Sequence, residues 1–220
     1  MAISIILMGC AGQSAPVTAP SPIESVSQPD QAAVERGIAQ ARADSARYPY
    51  TEADLHFMVG MISHHAQAIV MAQMAESHGA RPEVVTLAGR VINAQRDEIA
   101  LMQNWLRDRR QPVPDASPTG MKMKMNGAEH EMLMPGMLTP EQMRQLDQAR
   151  GDEFDERFLR LMIQHHNGAV IMVKQLFDTY GAAQDQLVFK FASDVNIDQT
   201  TEIARMEKML FSIIVGRNSK

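Results

Sequence analysis

Apolar side chains follow the helical period through four long segments of the chain, and no segment shows the strict alternation of a half-buried strand. The first segment begins at Thr51, a good N-cap with Asp54 in the capping-box position, and is predicted to run to about Ser77. Gly79 and Pro82 stop it. A second helix starts at Pro82 or Glu83, with proline in the first turn where its missing N–H is harmless, and ends near Arg109. The third and fourth are expected at about 152–179 and 183–214. A shorter helix is plausible over 30–47, with Val34 and Ile38 on one face, before Tyr48-Pro49-Tyr50 breaks it. Pro112, Pro114 and Pro118 open a long connection, in which Thr139-Pro140-Glu141 starts another short helix that ends before Gly151.

Two of the long segments are variants of one another. DLHFMVGMISHHAQAIVMAQMAES (54–77) aligns without a gap to DERFLRLMIQHHNGAVIMVKQLFD (155–178). The match pairs Asp54 with Asp155, Phe57 with Phe158, Met61 with Met162, His64-His65 with His165-His166, Ala68 with Ala169 and Met71 with Met172. After a turn that is longer in the second copy, LAGRVINAQRDEIALMQNWL (87–106) aligns with FASDVNIDQTTEIARMEKML (191–210), pairing Gln95 with Gln199, Glu98 with Glu202 and Met102 with Met206. Each copy is a helical hairpin, and one hairpin cannot bury its apolar face alone. The expected fold is therefore all-α: a four-helix bundle of two homologous hairpins, where ligand sites are built from side chains on facing helices. The layout follows: 1–29 as a targeting segment and tether, 30–50 a short helix and linker, 51–110 the first hairpin, 111–150 the connection, and 151–214 the second hairpin. Both hairpins make one domain.

Helical geometry sorts the duplicated polar residues. Asp54, Met58, Met61 and His65 share one stripe, as do Asp155, Met162 and His166, while His64 and His165 line up with Met71 and Met172. Adjacent histidines cannot easily ligate one ion, so one of each pair is expected to face the bundle axis and the other a helix seam. On the partner helices Gln95, Glu98 and Met102, and likewise Gln199, Glu202 and Met206, lie on apolar stripes. A buried carboxylate needs a partner, and the inward histidines are the nearest candidates. Two readings stay open for His65 and His166 with Glu98 and Glu202: metal ligation, or a hydrogen-bonded network with Asp54, Asp155, Gln95 and Gln199 that sets the bundle's register. Met58, Met61, Met162, Met102 and Met206, taken one by one, are read first as core packing.

The connection differs in character. Met121, Met123, Met125, Met132, Met134 and Met137, with His130 among them, occupy a stretch that reads as loop. Exposed thioethers gain little from burial, and together they form a flexible soft-donor basket suited to Cu(I) or Ag(I). The bland alternative is a lid that buries these methionines against the bundle.

Composition narrows the picture. The chain carries 18 methionines, one cysteine and a net charge of −5 over 220 residues. No basic block is present, which argues against a nucleic-acid partner. Cys10 follows the apolar run Ile3–Leu7 in Leu7-Met8-Gly9-Cys10, which resembles a bacterial lipobox, although no Lys or Arg precedes the run. A Pro/Ser/Ala-rich tether to about Pro29 comes next. If Cys10 is lipidated, the folded region has no thiol, and any soft-metal site must use Met and His.

The double-histidine motif with Asp54, Phe57, Met61, Ala68 and Met71, followed by Gln95-x-x-Glu98-Ile99 and Met102, resembles the DUF305 family in both copies, over roughly 50–110 and 151–211. That resemblance implies a ferritin-like bundle, usually exported in bacteria, with some members handling copper and silver in the periplasm. Carried over residue by residue, it points to His64, His65, His165, His166, Met61, Met71, Met162 and Met172 as ligands.

The expected function is an envelope protein that sequesters Cu(I) or hands it to a metal-transfer partner, with Ag(I) as a mimic and possible membrane anchoring through a lipid on Cys10. A non-catalytic structural or interaction module is the alternative. A ferritin-like iron oxidase is less favoured: di-iron sites use Glu-x-x-His pairs, whereas here the residues three beyond Glu98 and Glu202 are Leu101 and Arg205. No nucleophile with its base, and no phosphate-binding glycine loop, is evident.

Overall fold

The computed structural model describes residues 30–47, 50–125 and 128–218, so Cys10 and the tether lie outside the described residues. The chain divides into two units, Met1–Ala41 and Arg42–Lys220. Helix α1 (Gln31–Arg47) starts where the Asp30 carboxylate accepts a hydrogen bond from Ala32 N at 3.1 Å; its Val34 and Ile38 side chains are exposed.

The larger unit is an all-α, ferritin-like four-helix bundle. α2 (Glu52–Ser77) and α3 (Pro82–Asp108) form the first hairpin; α5 (Gly151–Asp178) and α6 (Gln186–Asn218) form the second. α2 and α5 pack on each other across the middle. The connection between the hairpins holds β1 (Met121–Met125), β2 (Ala128–Met132) and the short helix α4 (Pro140–Gln148). Among the described residues no helix is long and apolar enough to cross a membrane.

Local sequence explains where these helices begin. Thr51 caps α2 through a capping box in which its hydroxyl accepts from Asp54 N at 3.3 Å and Asp54 Oδ2 accepts from Thr51 N at 2.7 Å. Thr139 and Gln142 repeat the device at α4. Pro82 and Pro140 stand in the first turns of α3 and α4.

The expected strand-free connection is corrected by the β1–β2 hairpin, which pairs Met121 with Met132 and Met123 with His130. Met-Lys-Met-Lys-Met does alternate with period 2, but it is short and lacks the β-branched residues that mark strands. The Asn126-Gly127 dipeptide between the two runs is a strong hairpin signal.

Apolar side chains bury in two groups on either side of the bundle's middle. One gathers Phe57, Met58, Met61, Met102, Trp105, Met134 and Met172; the other gathers Met71, Leu146, Phe154, Phe158, Met162 and Met206. The first group is closed off by Asp185, which accepts from Trp105 Nε1 at 3.2 Å and pairs with Arg109. The Arg109 guanidinium lies 4.3 Å above the Trp105 ring.

The duplicated aspartates sit at the ends of the bundle, away from the histidines. Asp54 Oδ1 accepts from Ala183 N at 2.7 Å, in the turn between α5 and α6. Asp155 accepts from Arg81 N at 3.2 Å, at the start of α3, with Arg81 Nε 3.4 Å away. Each carboxylate thus fastens the turn of the opposite hairpin. The expected network joining Asp54 and Asp155 to the histidines is not formed: several turns of helix separate them.

Candidate metal centre

Midway along α2 and α5 four imidazoles meet. His64, His65, His165 and His166 are all fully buried, each at 0 % exposure. His64 and His165 face one another across the α2–α5 contact, their ring centroids 3.8 Å apart. Desolvation holds both well below the ordinary imidazole value of 6.5, and the surrounding histidines push them lower still. Both rings are therefore neutral at physiological pH, the form in which imidazole offers a lone pair to a metal. His64 Nε2 lies 3.0 Å from the Pro135 carbonyl oxygen and donates to it, which leaves Nδ1 without a partner. Neither nitrogen of His165 makes a hydrogen bond of good geometry, although the His64 backbone is close enough to oppose the shift slightly.

The second histidine of each pair turns toward the partner helix of its own hairpin. His166 Nε2 hydrogen-bonds Glu202 Oε2 at 2.7 Å. His65 Nε2 approaches Glu98 Oε2 to 2.6 Å, but off the hydrogen-bond line. Both pairings match the sequence expectation for the inward histidines. The two glutamates open into a cleft of about 160 Å³ between α3 and α6, lined also by Gln95, Asp198 and Gln199. Partial desolvation, then the charges of Glu98, Asp194 and Glu202, raise the Asp198 carboxyl. The side-chain amide of Gln95 is buried with neither atom hydrogen-bonded, so the glutamines do not close a satisfied network.

On the opposite side the connection presses into the bundle. Gln67 grips it three times: its Nε2 donates to Pro118 O at 3.0 Å and to Leu138 O at 3.1 Å, and its Oε1 accepts from Leu138 N at 2.6 Å. Gly136 adopts φ +77°, and a Cβ on Gly168 would stand 1.9 Å from Pro135 O. Only a glycine at 168 lets the Pro135-Gly136 backbone lie against α5. Met134 then drops between α2 and α5. A Cβ on Gly60 would meet Met134 Cε at 2.6 Å, Met134 Sδ at 3.2 Å and Met172 Cε at 3.4 Å.

Of the four methionines of the expected exposed basket whose side chains are described, three are covered. Met121, Met134 and Met137 are buried and Met132 is 41 % exposed, while His130 is exposed. Met123 and Met125 follow Met121 along β1, their side chains outside the described ones. The grip of Gln67 and the His64–Pro135 bond tie the connection down, which makes much of it a lid. Of the helix-borne methionines, Met61 and Met172 belong to the same apolar group as Met134, and Met71 and Met162 to the other.

Two histidines escaped the sequence reading. His56 is exposed on α2 and lines an open cavity of about 150 Å³ with Met134 and Met172. His78 ends α2, where its Nε2 lies 2.9 Å from Asp147 O. Neither is duplicated, so the repeat could not reveal them. Among the described residues, no three His, Cys, Asp or Glu side chains are grouped to hold one ion.

The family DUF305, described as a domain of unknown function, matches residues 54–210. Three solved relatives share the architecture. A candidate secreted DUF305 protein from Streptomyces coelicolor is 27 % identical with a TM-score of 0.59, covering 73 % of this chain and 93 % of its own. A DUF305 fragment from Deinococcus radiodurans is 28 % identical with a TM-score of 0.60, covering 74 % and 97 %. CopM in its Cu(I)-bound form is 29 % identical with a TM-score of 0.53, covering 71 % and 94 %, and CopM is also known in Cu(II)-bound and silver-bound forms. No curated protein matches the chain.

Proposed function

Because the chain belongs to the DUF305 family, we propose that it binds a soft monovalent metal ion, Cu(I) with Ag(I) as its mimic, through imidazole and thioether donors. The observation that carries this reading is the meeting of neutral, fully buried imidazoles with unpartnered nitrogens. His165 in particular has two buried nitrogens, neither in a hydrogen bond of good geometry. Leaving such groups unsatisfied costs on the order of 1–3 kcal/mol each, which a bound ion would recover. The donor chemistry agrees. Met61, Met134 and Met172 are buried in one of the two apolar groups on either side of the bundle's middle and Met71 and Met162 in the other, and sulfur with imidazole suits Cu(I) and Ag(I), whereas Mg²⁺ or Ca²⁺ would call for oxygen cages. CopM, at 29 % identity, supports copper as the metal.

In this reading the ion is cargo, sequestered or handed to a metal-transfer partner. The lipobox-like Cys10 and the exported character of the Streptomyces coelicolor relative favour the cell envelope as its location. Titration of the purified protein with Cu(I) against a competing chelator tests the proposal. Replacement of His64, His65, His165 and His166 together with the connection's methionines should abolish binding; unchanged affinity would refute it.

A second reading, a structural module without metal, is favoured by the 2.7 Å His166–Glu202 bond, which satisfies a buried imidazole within the protein. Thermal unfolding separates the two. An ion that binds only the folded state must raise its midpoint, and a midpoint indifferent to Cu(I) and Ag(I) would favour the structural module.

A further inference from the structure

We infer that the open cavity between α2 and α5 is an outer position of the soft-metal site for a monovalent ion, held by the His56 imidazole with the thioethers of Met134 and Met172, which this position shares with the buried imidazoles. The inference rests on the soft-metal reading above and adds a ligand, His56, that lies outside the duplicated motif. The cavity holds about 150 Å³ and is lined by Ala53, His56, Phe57, Met134, Met172 and Leu176, with Gln175 and Thr179 at its rim. One borderline nitrogen and two soft sulfurs are its strongest donors, and no carboxylate lines it. That set disfavours hard cations and suits Cu(I) or Ag(I), which accept two or three soft ligands.

Three features make the cavity more than a surface dent. Met134 reaches it because Gly60 has no side chain: its Sδ would stand 3.2 Å from a Cβ there, and Met172 Cε 3.4 Å. The ends of both methionine side chains therefore meet one bare patch of α2. Met134 precedes Pro135, whose carbonyl binds the His64 imidazole at 3.0 Å, so the cavity adjoins the buried imidazoles through a single residue of chain. Finally, His56 is exposed while Met134 and Met172 are nearly covered, at 5 % and 4 %. A solvated imidazole can meet a hydrated ion and pass it to sulfur as water is shed.

The test is Ag(I) titration of the full chain with methyl-labelled methionine, followed by NMR. The Met134 and Met172 methyl resonances should move with the first equivalent. His56→Ala should weaken that step by at least about tenfold, the expected loss of one good ligand, without altering the fold, since His56 is exposed. A Met134→Leu, Met172→Leu double variant, which keeps the apolar volume, should abolish the step. If the protein takes up Ag(I) while these two methyls stay still, or if His56→Ala titrates like the parent chain, the outer site is refuted and the soft-metal reading stands. If no Ag(I) binds at all, both fall.

Discussion

Gln67 on α2 and Gly168 on α5 occupy the same place in the two aligned copies, yet they do opposite things to the connection that lies over them. Gln67 holds it with three hydrogen bonds; Gly168 yields to it, bare enough for the Pro135 carbonyl to rest against α5. The histidines follow suit. His64 donates to that carbonyl, while its counterpart His165 is left with no hydrogen bond of good geometry at either nitrogen. Two nearly equivalent hairpins are made unequal by one asymmetric strap, and the inequality falls on the imidazoles. A duplicated motif thus need not yield two identical sites: whichever copy the strap touches changes its donors.

The largest test of this contrast is Gly168→Ala. Its Cβ would meet backbone at 1.9 Å, which no rotamer can relieve, so the strap must lift. A loss of about 3 kcal/mol in urea unfolding is expected, at the upper end for overpacking, with protease sensitivity appearing between Pro118 and Leu138. Gln67→Ala should cost about 2 kcal/mol by stranding the Leu138 amide and two carbonyls, with the same protease signature and no steric component. Equal stability in either variant would mean that the strap is not anchored as described.

Acid probes the imidazoles. His64 and His165 are depressed in the folded state by burial and by their histidine neighbours. The unfolded chain therefore binds more protons than the native one once pH falls below about 6.5. Stability should decline from there downward until the folded rings themselves protonate, at up to about 1.4 kcal/mol per pH unit for each ring. Chemical denaturation between neutral and mildly acidic pH measures it; a flat profile through that window would contradict the burial argument. A smaller effect separates the two rings. His64→Phe should cost about 1–2 kcal/mol because the Pro135 carbonyl loses its donor, whereas His165→Phe should be within about 1 kcal/mol of neutral, having no hydrogen bond of good geometry to break. Equal costs would erase the asymmetry.

Much of this was legible from residue spacing. The capping box at Thr51 follows from local residue types, and the four long helices and the pairing of His65 with Glu98 and His166 with Glu202 follow from helical periodicity, which is local and strong. What escaped was set by contacts between distant segments. Asp54 and Asp155 share a stripe with the histidines, so the pattern grouped them, but a stripe several turns long can serve both ends of a bundle. Met134 and Met137 read as exposed because nothing in their own segment announces Gln67 and Gly168 as the positions that receive it. His56 went unnoticed because its counterpart in the second copy is Arg157, and chemistry present in one copy leaves no trace in a repeat.

The crossed aspartates carry a consequence for how the molecule comes into being. Asp54 finishes the α5–α6 corner and Asp155 the α2–α3 corner, so neither hairpin emerging alone from the ribosome possesses the group that seals its own bend. Each half therefore lends the other a corner bond of about 1 kcal/mol, and the stability of a chain severed within the strap should rise when the two halves are mixed.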